Sequence, residues 1–488
     1  MSVRTAISGR DSWTAHRWWV FLVVPQLCLG LFFLALPLLR GDAHYVTRSP
    51  SEPYGFGWLL LILFVPYGLG LSAMRRTGSF PSRRGLRIAF AVSAVPLMLA
   101  PLAQSHDAYQ YLFYAKMQLA HGANPYVTVP STFASDPWFS YIGWPEQVSV
   151  YGPLWTMLVA GATAVTGQQL AVSLLGLKVL ATGATAAATW GLASVKPDHT
   201  SGVEPNGTYA AVAFALNPLV LTAGPSSAHP DVFLAAFFAW AIVLDQRRRP
   251  ILAGLLLVVA VLFKAYAVFP LAIYCFVLWR RGDLRPRQWL VAAGAAAAVV
   301  AVSFAPYWAG WQTLAGTFSI AKLSSSGLGG RLQVWVEGLA RFVHLGSAAT
   351  VASITSRTIS VVILVLVTVW IARNTRTLRE PWWAAGILLA SFLLVTPWYL
   401  PWYVVGLLAL TTPLVDRTIR APVLLFSGTQ LVQVPGLVDA PQTLLRYGMP
   451  LLYWLRLRLR LRLRSERAHP PSGRPDPPLD TGAATTVP

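Results

Sequence analysis

Apolar residues fall into long blocks separated by short polar joints, and these blocks set the predicted architecture. A helix needs about 20 mostly apolar residues to cross a bilayer, and fewer where neighbours shelter its ends. Blocks of this kind lie near 17–39, 56–74, 86–104, 169–193, 207–222, 231–246, 250–263, 265–279, 289–309, 353–372, 382–396, 400–413, 420–437 and 447–456. The chain therefore reads as an all-α polytopic membrane protein of about 14 transmembrane helices, within a range of 12–15. The first block outlasts a signal-peptide core and precedes no Ala-x-Ala site, so it is expected to remain as a membrane helix. Between 107 and 120 the pattern changes: Ala108, Tyr111, Leu112, Ala115 and Leu119 recur at helical spacing, while Asp107, Gln110, Tyr114, Gln118 and His121 line the other face. This predicts an amphipathic helix with its apolar side on lipid and its polar side on a cavity, ended by Gly122 and Pro125.

Composition excludes a soluble protein, because 55% of the 488 residues are hydrophobic and 11% charged, against about 25% charged in a soluble domain. The net charge of +20, from 38 basic and 18 acidic residues, matters through its placement. Arginine crowds the joints 75–84, 246–250, 280–287, 373–379 and 416–420 and the segment 456–467. Lys and Arg accumulate in cytoplasmic loops, so these segments and both termini are expected inside. The loops 40–55, 105–168, 223–230, 310–352, 397–400 and 438–446 then lie outside. An odd number of crossings must separate the outer loop after 105 from the inner joint 246–250, yet four apolar stretches lie between them. The weakest, GPLWTMLVAGATAVT (152–166), is expected to lie along the outer face as a juxtamembrane helix. One transmembrane domain over 1–465 results, with outer loops at about 105–168 and 310–352, before a Pro-rich polar tail, 466–488, expected to be disordered. The alternating Arg and Leu of 456–464 read as a positive-inside stop signal or as a contact to the acidic inner leaflet. The sequon at Asn206 falls on the inner side and is read as chance. Cys28 and Cys275 sit in apolar runs and suggest neither a disulfide nor a thiolate metal site.

Charge at a membrane edge is costly, so each such residue is a functional candidate. Asp107, beside His106 at the start of the amphipathic helix, reads as a general base or as an N-cap. Asp231, in His229-Pro230-Asp231, reads as a second acid, an acceptor-sugar ligand or another cap. Lys264 and Lys178, basic groups in apolar stretches, suit an anionic headgroup such as phosphate, or snorkel to the interface. Lys322 and Arg331 flank SSSGLGG in a loop that either folds over a polar cavity or is simply solvated. Aromatics gather at Trp138, Phe139, Tyr141 and Trp144 and in TPWYLPWY (396–403), as an interfacial belt or as sugar-stacking surfaces. No third ligand accompanies any His and Asp pair in the outer loops, so no metal site is expected.

Taken in order, SHDAYQYLFYAKMQLAHGANPY (105–126), YGPLW (151–155), ALNPLVLTAGPSSAHPD (215–231), FKAYAVFP (263–270) and TPWYLPWY resemble the type C glycosyltransferases. The resemblance is strongest to the actinobacterial polyprenyl-phosphomannose-dependent alpha-(1→6)-mannosyltransferases and covers roughly 100–410. It implies the type C fold and an inverting transfer of mannose to a lipid-anchored mannan-type glycan on the extracytoplasmic side of the plasma membrane. Asp107 would be the catalytic base. Lys264, Lys178 and Arg331 would hold the donor phosphate, and His106, Tyr111, His229, Asp231 and Trp398 would face the acceptor or the sugar. Related sequences often carry His-Asn-Asp where this one has His229-Pro230-Asp231. The lipid-phosphate sugar is a substrate, so no cofactor or metal is implied. The partners are that donor, a glycolipid or glycan acceptor and the bilayer, with no nucleic acid. Transfer of arabinofuranose or glucose from the same kind of carrier is the alternative within enzymes. A lipid or sugar transporter is the alternative outside them, although the acids cluster at the outer edge and no repeat is visible.

Overall fold

The computed structural model describes residues 18–39, 46, 57–103, 105–196, 207–316, 327–430 and 442–468. Asn206, Lys322, much of the expected span 420–437 and the tail beyond 468 lie outside the described residues. The described chain is helical, with no strand among the described residues. Proline sets several of the helix starts. Pro153, Pro250, Pro286 and Pro381 each occupy the opening turn, where the missing N–H would have had no intrahelical partner.

Among the described residues, four helices are long and apolar enough to cross a membrane: Trp18–Leu36, Leu170–Ser194, Pro286–Tyr307 and Ala348–Arg373. Pro286–Tyr307 buries 6% of its apolar window and Ala348–Arg373 buries 17%. Leu290, Val302, Val361 and Leu366 instead stand exposed along them. Apolar surface on this scale marks contact with lipid, and the chain is a membrane protein.

The expected span 207–222 is not one straight helix. Gly207–Ala215 and Pro218–Ser226 meet at 57°, because Pro218 cannot donate to the preceding turn. The break is buried, so its polar groups are satisfied internally. Asn217 Oδ1 accepts from Leu219 N at 2.9 Å, its Nδ2 donates to Ser427 Oγ at 2.9 Å, and the Tyr67 hydroxyl donates to the Ala213 carbonyl. The second half ends in a π turn, Thr222–Ser226. Asp231–Gln246 follows and packs against Leu170–Ser194, Pro250–Phe263 and Val404–Thr411, forming the centre of the core.

The arginine-rich joints share one end of the molecule. Arg281 Nε donates to the Leu378 carbonyl, and Arg376 reaches Asp416 at 2.8 Å. Arg75 and Arg420 both lie over the Tyr209 ring, at 4.7 and 5.2 Å from its centroid. Lys196 N and O are both bonded to the Gln246 amide. Joints far apart in sequence are thus tied to one another.

At the other end lies Asp107–His121, where the structure departs from expectation. Its apolar side is not on lipid: Ala108, Tyr111, Leu112 and Ala115 are buried within the protein, and Leu119 alone of that set is exposed. The reason is Pro153–Val165, which packs against it and also against Pro250–Phe263. This 13-residue helix reaches about 20 Å, short of the roughly 30 Å of a bilayer core. Its entry is set by Gly152, whose N–H donates to the Phe263 carbonyl at 3.1 Å. A Cβ at 152 would stand 2.0 Å from the Leu262 carbonyl oxygen. The motifs YGPLW and FKAYAVFP, 112 residues apart when counted from Tyr151 to Phe263, therefore meet backbone to backbone. Gly152→Ala is expected to destabilise the fold by at least about 1–3 kcal/mol, the usual cost of overpacking, and to lower the thermal midpoint in detergent. An unchanged midpoint would show that this contact does not hold the helix.

Candidate functional site

The contact between 152 and 262–263 brings the start of the outer helix and the Lys264 turn to the same cavity. It has a volume of about 550 Å³, and Asp107, His106, Gln110, Lys264 and Trp398 are among the residues that line it. Its floor and walls are largely aromatic, with Trp144, Tyr151, Tyr266, Phe269, Trp402 and Tyr403. Trp144 meets Trp398 edge to face at 5.7 Å, joining the outer loop to the late turn 396–403.

Neither carboxylate is the helix cap that its position suggested. The Asp107–His121 helix is preceded by His106 as its N-cap residue, with no side-chain cap bond, and Asp107 lines the cavity instead. Burial raises its carboxyl pKa to about 6, against the opposing pull of Ser105, Lys264 and Trp144. Ser105 Oγ accepts from the Asp107 backbone N–H at 3.1 Å, fixing the entry to the helix. Burial also pushes the neighbouring His106 imidazole down, which favours its neutral form at neutral pH.

Asp231 opens its helix without capping it and is fully buried. Its Oδ1 and Oδ2 accept from Lys264 Nζ at 3.0 and 2.8 Å, and Oδ1 also accepts from the Tyr266 hydroxyl at 2.6 Å. Asp231 does not line the cavity; it holds the residue that does. Lys264 is 8% exposed, and its ammonium lies 3.8 Å from the Tyr403 ring centroid. Its single charge is thereby aimed rather than free to snorkel. Two of the three ammonium protons go to Asp231, which leaves one for a ligand.

His229 is buried behind the wall, stacked on Trp402 at 3.9 Å, with Nδ1 3.2 Å from the Tyr111 hydroxyl. The Tyr151 hydroxyl in turn donates to Tyr111 at 3.4 Å. Tyr111 and His229 thus support the lining residues Tyr151 and Trp402 and do not line the cavity themselves. Two further candidates stand elsewhere. Lys178 is fully buried and donates to the carbonyl of Ala100, where Arg83–Leu99 ends. Arg331, in Leu328–Phe342, lies outside the cavity lining, beside Tyr447.

Several lining residues had no assigned role in the sequence. Tyr266, Trp402 and Tyr403 fall inside motifs already singled out, and Gln110 and Tyr114 share the polar face of the amphipathic helix with Asp107. Spacing of three and seven residues from Asp107 was the available signal. The segment after His121 is fastened back to the Asp107–His121 helix by Asp136, which accepts from Lys116 at 2.7 Å, His121 at 3.0 Å and Trp138 N at 2.8 Å. Partial burial raises that carboxyl, but these bonds outweigh it and hold the pKa below the usual range. Among the described residues, no three His, Cys, Asp or Glu side chains converge as a metal would require.

The sequence has counterparts among known proteins. Residues 54–280, which carry the acid, the broken helix and Lys264, match the family described as "Alpha-(1->6)-mannopyranosyltransferase, N-terminal domain". The resemblance drawn from the ordered motifs is thereby borne out. Among curated proteins, the chain is similar to Alpha-(1->6)-mannopyranosyltransferase A of Mycobacterium tuberculosis, with 27% identity over 347 residues. The match covers 67% of this chain and spans about 65% of the length of that relative. No solved structure matches.

The Asp231 and Lys264 pair makes a direct prediction. Asp231→Ala strips the buried ammonium of its hydrogen-bonded counter-charge, which costs about 3–5 kcal/mol. The variant should unfold at markedly lower temperature than wild type, and Asp231→Ala/Lys264→Met should recover much of the loss. No recovery in the double variant would mean that Asp231 supports the fold through Tyr266 rather than through the charge.

Proposed function

We propose that this protein is an inverting glycosyltransferase. It moves mannose from a polyprenyl-phosphate carrier to a hydroxyl of a lipid-anchored mannan-type glycan, and forms an alpha-(1→6) bond. The observation that carries this reading is the meeting of Asp107 and Lys264 in one aromatic-walled cavity at the end of the molecule opposite the arginine-rich joints. The matching family and the mycobacterial relative, both alpha-(1->6)-mannopyranosyltransferases by name, support the sugar.

In this mechanism the acceptor hydroxyl donates its proton to the Asp107 carboxylate while its oxygen bonds to the anomeric carbon. The bond from that carbon to the phosphate oxygen breaks, and the electron pair leaves with the polyprenyl phosphate. Charge develops on the phosphate beside Lys264, whose ammonium is already oriented by Asp231, so little reorganisation is needed when it acts. One displacement inverts the anomeric carbon, so a beta-linked donor gives an alpha-linked product. Trp144 and Trp398 offer flat apolar faces to sugar rings, and Phe269 and Phe392, 4.5 Å apart, make the cavity compatible with a lipid carrier.

The topology proposed with it has about 14 spans, cytoplasmic termini and arginine-rich joints, and an extracytoplasmic cavity. Pro153–Val165 lies along the outer face.

The test is transfer from synthetic polyprenyl-phosphomannose to a short alpha-mannoside by the purified chain, beside Asp107→Asn. The variant should lose about 10²–10⁴-fold in kcat, the usual contribution of a positioned base. A base works in its ionised form, so activity should rise with pH through the Asp107 pKa of about 6. An ordinary Asp would place that limb near 4. Turnover of more than a few per cent in Asp107→Asn, or an acid limb unmoved from 4, would remove Asp107 as the base.

A further inference from the structure

Gln110 stands one helical turn beyond Asp107 on the same helix and lines the same cavity. It is 3% exposed. Its two amide ends are not equivalent. Oε1 accepts the backbone N–H of Trp144 at 3.1 Å, which fixes the orientation of the amide, since an NH₂ group there would face another donor. Nε2 is therefore the free end, and it has no hydrogen-bond partner in the protein. The Tyr114 hydroxyl lies near this amide and donates to the Gln147 carbonyl at 2.6 Å, but its oxygen is outside hydrogen-bonding geometry of Nε2. A buried donor without an acceptor costs about 1–3 kcal/mol. A ligand oxygen in the cavity removes that cost.

We infer that Gln110 determines acceptor specificity: Nε2 donates to an oxygen of the acceptor sugar ring that presents its hydroxyl to Asp107. This deepens the transferase reading and rests on it. Residues at i and i+3 have Cβ atoms about 5–6 Å apart, so the base and this donor can engage one sugar ring at two points. Being donor-only, Nε2 requires an oxygen that accepts, and it rejects an acceptor sugar in which that oxygen is replaced by hydrogen. The anionic donor is served from another segment of the wall, by Lys264.

The experiment measures transfer to a panel of alpha-mannoside acceptors, each lacking one ring hydroxyl, by wild type, Gln110→Ala and Gln110→Glu. Glu keeps an oxygen for the Trp144 N–H and removes the donor. Both variants should raise the acceptor KM about tenfold, the usual size of one hydrogen bond, and leave the donor KM unchanged. One deoxy acceptor should be about tenfold worse for wild type yet no worse than the parent sugar for Gln110→Ala, because the lost contact is counted only once. Additive losses at every position, or a change in the donor KM instead, would overturn the inference. Efficient transfer by wild type with that result would leave the transferase reading standing. No transfer by wild type to any acceptor would overturn the transferase reading, and the role of Gln110 with it.

Discussion

An ionised side chain persists in an apolar wall only if its charge is answered in place, and Asp231 answers Lys264. The carboxylate is buried, is gripped by the ammonium at both oxygens and takes a further bond from Tyr266. Three segments are fixed by this one contact: the start of Asp231–Gln246, the turn after Pro250–Phe263, and, through the Tyr403 ring, the late turn at 401–403. The Phe263 carbonyl, next to Lys264, accepts the Gly152 N–H, so Pro153–Val165 and the Asp107–His121 helix packed on it are referenced to the pair as well. An interior of this kind resists rearrangement because separating either partner strands a charge. The pair is thus both a structural pin and the reason a cation stands at the cavity.

Much of the architecture could be read from the chain, since the bilayer forces apolar blocks of predictable length and leaves arginine in the joints. The amphipathic helix, its polar face and its stop at Gly122 were legible as well, and Gly122 does adopt the left-handed conformation at φ 61°. What lies against the apolar face was not. Lipid and protein demand the same residues there, and the presence of Pro153–Val165 beneath Tyr111 and Leu112 depends on a contact with residues more than 100 positions away. The break at 216–218 was obscured for a related reason, because Asn217 is masked in an apolar run until its partners Ser427 and Leu219 are seen.

The site was legible as parts and not as an assembly. Asp107, His106, Lys264 and Trp398 stood out as polar or aromatic exceptions, and the structure gathers them around one cavity. Asp231, His229 and Tyr111 stood out equally but lie behind its wall, for a sequence cannot separate a residue that touches a ligand from one that holds its neighbour. Lys178 marks the limit of the charge rule. An ammonium in a span reads as a ligand for phosphate, yet here it satisfies the carbonyl of Ala100, where a helix ends and leaves acceptors without intrahelical donors.

The Asp107–His121 helix divides its labour by face. Asp107, Gln110 and Tyr114 look into the cavity, Tyr111, Leu112 and Ala115 are sealed in the core, and Lys116 and His121 fasten the loop through Asp136. The cavity-facing side also anchors, since Gln110 accepts from the Trp144 N–H and Tyr114 donates to the Gln147 carbonyl within the same fifteen residues. Exchange of Gln110 or Tyr114 would therefore also release a tie to the 144–147 segment, so reshaping the cavity and loosening the loop beside it come as a single event.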